Sequence, residues 1–137
     1  MGKYAARIGK MNMGKAKTKT PVLGRWSIDS MSMWDRDYID ADGPGYFDFG
    51  DNNLGSFHFG YIQGDLDYRF TQRDGKPAVE FSFEGGDGAD CSPCSGRGWM
   101  TLADDKLTGM FFFHCGDESE IELSRLPGPA KKPSKRK

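Results

Sequence analysis

Apolar and polar side chains alternate along most of the chain from Gly24 onward, and this period of two residues constrains the fold more than any other feature. Phe57, Phe59 and Tyr61, for example, alternate with small or polar residues. Successive side chains of a strand point to opposite faces, so the pattern predicts strands with one apolar face. Turn-forming residues separate eight such segments, and no long stretch carries a helical stripe.

Eight sequential antiparallel strands bury their apolar faces best by closing on themselves, because closure also removes the exposed sheet edges. We therefore predict an all-β fold, an eight-stranded antiparallel up-and-down barrel, with a β-sandwich as the alternative. The barrel domain is expected over residues 24–126. The length of 137 residues fits one domain with a single core.

The formal net charge of −1 conceals a strong asymmetry along the chain. Residues 1–23 carry six Lys or Arg and no acid, and residues 126–137 carry five and no acid. The eight remaining basic residues accompany all 20 acids, which gives residues 24–125 a formal charge of −12. Both ends, 1–23 and 127–137, are predicted to be disordered basic tails. They either tether the protein to nucleic acid or, as we favour, serve as solubilising ends.

The first predicted strand opens with Gly24-Arg25-Trp26. A Gly-x-Trp at this position resembles the calycin superfamily, the barrels of the lipocalin and avidin type. The resemblance implies a calycin-like barrel in which the Trp packs across a closed base. The stretch GRWSIDSMSMWDRDYIDADGPGYFDFGD, with SGRGWMTL further on, is similar to a group of small uncharacterised bacterial proteins. That second resemblance covers most of the chain and implies no known activity.

The side chains expected to point into the barrel are mostly aromatic, and an eight-stranded barrel is just wide enough to be filled by such side chains. We therefore predict a packed core with at most a shallow pocket at one end. The predicted inward set is Trp26, Ile28, Phe47, Phe49, Phe57, Phe59, Tyr61, Leu66, Tyr68, Phe70, Val79, Phe81, Phe83, Trp99, Phe111, Phe113, Ile121 and Leu123.

Alternate loops of a meander share one end of the barrel, so the loops after strands 1, 3, 5 and 7 should form its mouth. We place these loops at Asp35–Gly43, Gln63-Gly64, Gly85–Gly96 and Cys115–Glu118. Binding sites gather where loops converge on a rigid scaffold. The first loop supplies candidate residues for binding a ligand or partner, namely Trp34, Asp35, Asp37, Tyr38 and Asp40.

The four aspartates of this first loop allow three interpretations. They could bind a hard cation, although the spacing and closing Glu of an EF-hand are missing. A pair of them could do acid–base chemistry in a cleft. The interpretation we favour is a solvated loop in which aspartates cap turns, with Tyr38 and Ile39 as a lid over the barrel mouth.

Cys91, Cys94 and Cys115 are predicted to lie at the same end, together with His114. These four residues are the types that bind zinc, which takes four ligands in a tetrahedron. His114 and Cys115 are adjacent on a strand and point to opposite faces unless the strand ends between them. Three ordinary thiols, or a Cys91–Cys94 disulfide, are the alternatives to a zinc site.

Apolar residues also occupy positions that alternate with the inward set, and these should lie on the outside of the barrel. Met100, Leu102, Met110 and Phe112 could form one exposed patch on strands 6 and 7, and Met31 and Met33 follow the same pattern on strand 1. Exposed apolar clusters usually mark contacts, so the patch predicts a protein partner or a homodimer. Alternatively, the N-terminal tail covers it, or the assigned facing is shifted by one residue.

The sequence shows no nucleophile elbow, P-loop or dinucleotide fingerprint, which favours a non-enzymatic function. We therefore expect a small β-barrel that acts as a binding or interaction module. The alternatives are a rim that binds zinc or a small ligand, and a protein tethered to nucleic acid by its basic tails. No apolar run long enough to span a membrane and no export pattern are evident, so a cytoplasmic location is expected.

Overall fold

The computed structural model describes residues 21–126 and shows a closed barrel of eight antiparallel strands. The predicted all-β up-and-down barrel is confirmed, and the β-sandwich alternative is wrong. The predicted tails lie outside the described residues, except for residues 21–23. The strands are β1 (Gly24–Met31), β2 (Tyr46–Phe49), β3 (Leu54–Phe59), β4 (Ile62–Arg73), β5 (Lys76–Asp87), β6 (Ser92–Ala103), β7 (Lys106–Phe113) and β8 (Glu118–Arg125). A short helix, α1 (Arg36–Ile39), precedes β2, and a 3-10 turn, Asp51–Asn53, precedes β3.

Each strand pairs with its successor in the chain, and β1 also pairs with β8, which closes the cylinder. Trp26 lies opposite Arg125 in this closing pair, and Ile28 lies opposite Leu123. The strands β4, β5 and β6 are the longest, with 12 residues each. Closure pairs the two edges that an open sheet would leave exposed to other chains.

Two hairpins turn through pairs of residues that tolerate a left-handed backbone. Asp74 and Gly75 have φ values of 54° and 77°, and Asp104 and Asp105 have φ values of 55° and 60°. The tight hairpin turn that matches strand twist needs positive φ at both central residues, a conformation that Asp and Gly adopt readily. Turn chemistry therefore sets the register of β4–β5 and of β6–β7.

Two other connections differ from the sequence prediction. The turn placed at Gln63-Gly64 lies instead at Gly60-Tyr61, which leaves Tyr61 at the hairpin tip and 41% exposed. The segment Gly85–Gly96, predicted as a loop, is mostly paired strand, and only residues 88–91 connect β5 to β6. Its glycines are typical of loops, but in this barrel some of them make room for aromatic rings.

Aromatic rings fill the interior, as the sequence predicts. Phe111 is completely buried, and its ring centroid lies 4.7 Å from that of Phe83 and 5.4 Å from that of Phe59. Phe81 lies directly opposite Gly98, and a Cβ at Gly98 would come within 2.4 Å of the Phe81 ring. The missing side chain lets the ring lie against the barrel wall. The predicted inward residues that are buried are Trp26, Ile28, Phe47, Phe49, Phe57, Phe59, Leu66, Tyr68, Val79, Phe81, Phe83, Phe111, Ile121 and Leu123.

The facing predicted for β6 is wrong by one residue. Met100 points inward and is completely buried, whereas Trp99 lies on the outer face and is half-buried. Met100 therefore cannot belong to an exposed patch, and Leu102 also packs partly against the core. The inward positions around Phe81 and Phe83 are taken by glycines, which shifts the bulky Trp99 to the outside.

Other facing errors occur at the two ends of the barrel. Met31 is buried because the pairing of β1 with β8 shifts between Ile28 and Ser30, and this bulge turns Met31 inward. Met33, beyond the strand, is 48% exposed. Phe70 keeps its inward position but lies near the end of β4, where it is 39% exposed.

The end of the barrel where β1 begins is closed by Trp26. Its indole N–H donates a hydrogen bond of 2.8 Å to the carbonyl of Val22, and both residues are completely buried. The Arg125 guanidinium lies 4.3 Å from the centre of the Trp26 ring. Trp26 is therefore buried at this end of the barrel, which is compatible with the packing that the resemblance implies.

Candidate functional site

The segment between β1 and β2 covers the opposite end of the barrel. The Asp35 carboxylate caps α1, accepting a hydrogen bond of 3.0 Å from the Tyr38 N–H. Ile39 is buried, and its carbonyl accepts a hydrogen bond of 2.9 Å from the Gly60 N–H. A Cβ at Gly60 would lie 2.2 Å from the Tyr38 ring, so this ring rests directly on the β3–β4 turn. Tyr38 and Ile39 therefore form the lid that the sequence predicts.

Trp34 extends the cover over the mouth. Its ring centroid lies 5.1 Å from that of Phe59 and 5.9 Å from that of Phe113. Tyr38 packs beside Trp34, and its own partial burial raises the pKa of its phenol. Trp34 and Tyr38 thus pack onto the core at the mouth, where they take the place that an entering ligand would need.

The aspartates of this segment stabilise its conformation. The Asp40 carboxylate accepts hydrogen bonds of 3.0 Å from the Gly45 N–H and 3.0 Å from the Arg36 guanidinium. The Gly45 N–H, helped by Arg36, holds the pKa of Asp40 below its usual range. Arg36 in turn donates a hydrogen bond of 2.8 Å to the Ile28 carbonyl. Asp37 is exposed on α1. This arrangement matches the interpretation in which aspartates cap turns.

The three cysteines lie at the same end and are free thiols. Cys91 and Cys115 are exposed, whereas Cys94 is partly buried against the core. Burial, and secondarily the charge of Asp87, raises the pKa of the Cys94 thiol. Within residues 21–126, no three or more His, Cys, Asp and Glu side chains form a group that could hold a metal. The structure therefore does not bring Cys91, Cys94, Cys115 and His114 together as a metal site. Zinc binding stays a prediction from the sequence.

The most distinctive surface lies on the outer face of β4 to β7. There a groove of about 390 Å³ is lined by three arginines, three aromatic residues and a few acidic or small residues. We call this surface the arginine groove and define it by Arg69, Arg73, Arg97, Trp99 and Phe112. Its volume lies within the range of about 300–1,000 Å³ that is typical of small-ligand sites.

Strand register brings these side chains together. Arg97 lies directly opposite Phe112 on β7, and Trp99 lies directly opposite Glu80 on β5. Glu80 is in turn opposite Arg69 on β4. Residues that share a face on neighbouring strands have Cβ atoms about 5 Å apart, so the groove is built from cross-strand pairs.

Two of the arginines stack on aromatic rings. The Arg73 guanidinium lies 3.7 Å from the centre of the Trp99 ring, and that of Arg97 lies 4.8 Å from the centre of the Phe112 ring. Such cation–π contacts hold a guanidinium in place without occupying the N–H donors at its edge. Both groups therefore remain able to donate hydrogen bonds to a ligand.

These arginines differ from most other basic side chains of the barrel in lacking an acidic partner among the described residues, a property that they share with Lys76. Arg25, Arg36, Lys106 and Arg125 all lie within 3.7 Å of a carboxylate oxygen. For Arg69, Arg73 and Arg97, no carboxylate of residues 21–126 lies within the 4.0 Å limit of an ion pair. The groove thus concentrates unpaired positive charge on a domain whose net charge is strongly negative.

The sequence prediction found part of this surface and missed the rest. Phe112 lines the groove and is half-buried on the outer face, as expected. Met110 is half-buried beside the groove, opposite Trp99, but Met100 does not join them. Arg69, Arg73 and Arg97 were missed, although Arg69 and Arg73 occupy polar positions of β4. Their positions, combined with the correct facing of Trp99, would have indicated the groove.

Comparisons of the chain with protein-family models, with curated protein sequences and with solved structures find no match. In the described part of the chain, no helix has both the length and the apolar character needed to cross a membrane.

Proposed function

We propose that this protein is a non-enzymatic, cytoplasmic binding module that contacts its partner through the outer face of the barrel. The observation that carries the proposal is the arginine groove, where unpaired charge and half-buried aromatic rings share one surface. The packed interior and the lid of Tyr38 and Ile39 support an external site, because a site inside would require both to move. Three free thiols are in keeping with a reducing compartment.

The other surface considered from the sequence, the acidic segment Asp35–Asp42, is less suited to partner binding. Asp35 and Asp40 already accept hydrogen bonds from Tyr38, Gly45 and Arg36. A partner that used these carboxylates would have to replace contacts within the lid. A partner that binds the outer face of β6 and β7 would not have to replace contacts within the lid, which favours this face as the contact surface.

We also propose that the barrel is calycin-like. The closed eight-stranded meander and the buried Trp26 at one closed end are compatible with that class of fold. The similarity to small bacterial proteins stays a prediction from sequence. Tethering to nucleic acid falls on residues outside the described part of the chain, and it too stays a prediction.

Self-association tests the proposed interaction surface most simply, with a second copy of the chain as the partner. We expect light scattering during size-exclusion chromatography to show a dimer at protein concentrations of about 100 µM. Met110→Asp should shift the protein to a monomer, since a charge on this half-buried position disfavours an apolar contact. Met33→Asp, at an exposed position after β1, is the matched control and should leave the dimer unchanged.

A protein that stays monomeric throughout that range would contradict the homodimer. The surface proposal as a whole would fail if wild-type and Met110→Asp proteins also retained identical sets of proteins in parallel pull-downs. A dimer disrupted equally by Met110→Asp and Met33→Asp would place the contact elsewhere.

A further inference from the structure

We propose that the arginine groove binds a small organic anion that carries a planar ring, with a nucleoside monophosphate as the chemical class. This inference rests on the proposed function, because both place binding on the outer face of the barrel. It adds the identity of the ligand class, which follows from the charge, the ring contacts and the size of the groove.

The three arginines supply the recognition of the anion. Arg69, Arg73 and Arg97 line one groove without a carboxylate of residues 21–126 inside ion-pair distance, so their positive charges repel one another. A phosphate group relieves that repulsion and accepts paired hydrogen bonds from the planar guanidinium fork. These arginines distinguish the groove from the acidic domain around it, whose formal charge of −12 disfavours anion binding elsewhere on the barrel.

The stacked side chains supply the recognition of a planar ring. The Arg73 guanidinium carbon already lies over the Trp99 ring, 3.7 Å from its centre, and that of Arg97 lies over the Phe112 ring. Nucleobases stack both on aromatic side chains and on arginine guanidinium planes. A base placed here would extend the existing stack, while its phosphate reaches the edges of the guanidinium groups.

Acidic groups in the groove favour a small ligand over a polynucleotide strand. Asp67 and Glu80 line the groove beside the arginines, and their carboxylates can accept hydrogen bonds from hydroxyl or amino groups. The same carboxylates, and the acidic domain around them, repel a chain of phosphates. A volume of about 390 Å³ also suits one nucleotide rather than several.

Calorimetric titration with adenosine monophosphate tests the proposal. Adenosine alone tests recognition of the planar ring, and inorganic phosphate alone tests recognition of the anion. We expect adenosine monophosphate to bind at ligand concentrations of up to about 1 mM, with adenosine or phosphate alone binding at least about tenfold more weakly. Arg97→Gln should weaken binding about tenfold, since it removes a charge-assisted contact. Arg97→Lys should weaken it too, because lysine keeps the charge but lacks the fork.

Arg25→Gln is the matched control. Arg25 also stacks on an aromatic ring, 3.9 Å from the centre of Tyr46, but it lies on β1 and is paired with Asp48. Its replacement should leave the affinity for adenosine monophosphate unchanged. Thermal unfolding of each variant identifies those that lose binding because they misfold. If Arg97→Gln misfolds, the more conservative Arg97→Lys tests the proposal in its place.

Absence of adenosine monophosphate binding under these conditions would overturn the inference, as would equal weakening by Arg97→Gln and Arg25→Gln. Tighter binding of a single-stranded oligonucleotide than of the monophosphate would replace the small ligand by a nucleic acid. The proposed function fails separately: nucleotide binding without self-association or partner contact leaves this inference intact. Partner contact without nucleotide binding would overturn the proposed ligand class and leave the proposed function intact.

Discussion

The charged side chains of this barrel fall into two groups. Some have an oppositely charged or hydrogen-bonding partner in the same molecule, and others have no oppositely charged partner among the described residues. Asp40 is held by Gly45 and Arg36, and it stabilises the lid. Arg97 has a ring contact with Phe112 and no carboxylate of the described residues within ion-pair distance. The aspartates were easy to notice in the sequence because they cluster, but residue type alone did not reveal which charges remain unpaired.

The thiols should show different reactivities. Cys91 and Cys115 are exposed, whereas burial raises the pKa of Cys94, and only the thiolate form reacts rapidly. We expect a thiol reagent at neutral pH to modify two cysteines quickly and the third slowly. The slow phase should disappear in Cys94→Ser and persist in Cys91→Ser.

The same experiment addresses the zinc prediction. Protein purified without chelator should show the same two phases before and after addition of chelator. Three thiols that react only after chelator is added would show that a metal protects them, contrary to the separation of these residues in the structure.

Stability in acid should depend on Asp40. Its pKa in the folded state lies below the usual value, so the contribution of the ionised group is present above the unfolded-state pKa of about 3.9 and is lost as the pH falls through the lower folded-state pKa. We expect the midpoint of urea unfolding to fall less steeply between about pH 5 and pH 3 in Asp40→Asn than in wild type. Asp37→Asn, at an exposed position of α1, controls for the substitution itself, and matching slopes for wild type and Asp40→Asn would refute this role of Asp40.

The sequence predicted which segments form strands, but it did not reliably predict which side chains of each strand point into the barrel. Alternation and turn residues identified all eight strands, because both signals are local. The facing of β6 depended on pairing with β5, where Gly96 and Gly98 lie opposite Phe83 and Phe81. A bulge in β1 likewise reversed the expected position of Met31. Sequence alternation cannot locate such features, since they depend on the neighbouring strand.

The lid is the element whose stability can be tested separately from the barrel. Gly60 has a φ of 61° and would place a Cβ against the Tyr38 ring, whereas Gly75 has a φ of 77° and open space around it. Gly75→Ala should cost about 1–2 kcal/mol for its left-handed backbone alone. Gly60→Ala should cost about 1–3 kcal/mol more, because the ring must also move.

Urea unfolding measures both costs. The added Tyr38→Ala substitution should reduce the difference between the two alanine variants, since it removes the clash. Equal destabilisation by Gly60→Ala and Gly75→Ala would show that the Tyr38 ring does not rest on the β3–β4 turn.

The whole molecule combines a filled interior with an uneven outer charge. The predicted aromatic core was correct in outline, because all eight strands contribute bulky apolar residues to the interior. The arginine groove could not be predicted in the same way, since it joins residues of β4, β6 and β7 that are distant in the chain. Packing inside and charge outside together direct binding to the exterior.

Uptake of benzene, followed by NMR in wild-type protein and in Phe111→Ala, tests the filled interior most directly. Phe111 contacts several other rings at the centre of the barrel, so its removal should create an apolar cavity and cost roughly 3–5 kcal/mol of stability. An apolar cavity of this kind binds benzene, whereas a packed core does not. We predict no benzene binding by the wild-type protein and clear binding by Phe111→Ala. Benzene binding inside the wild-type barrel would contradict the account.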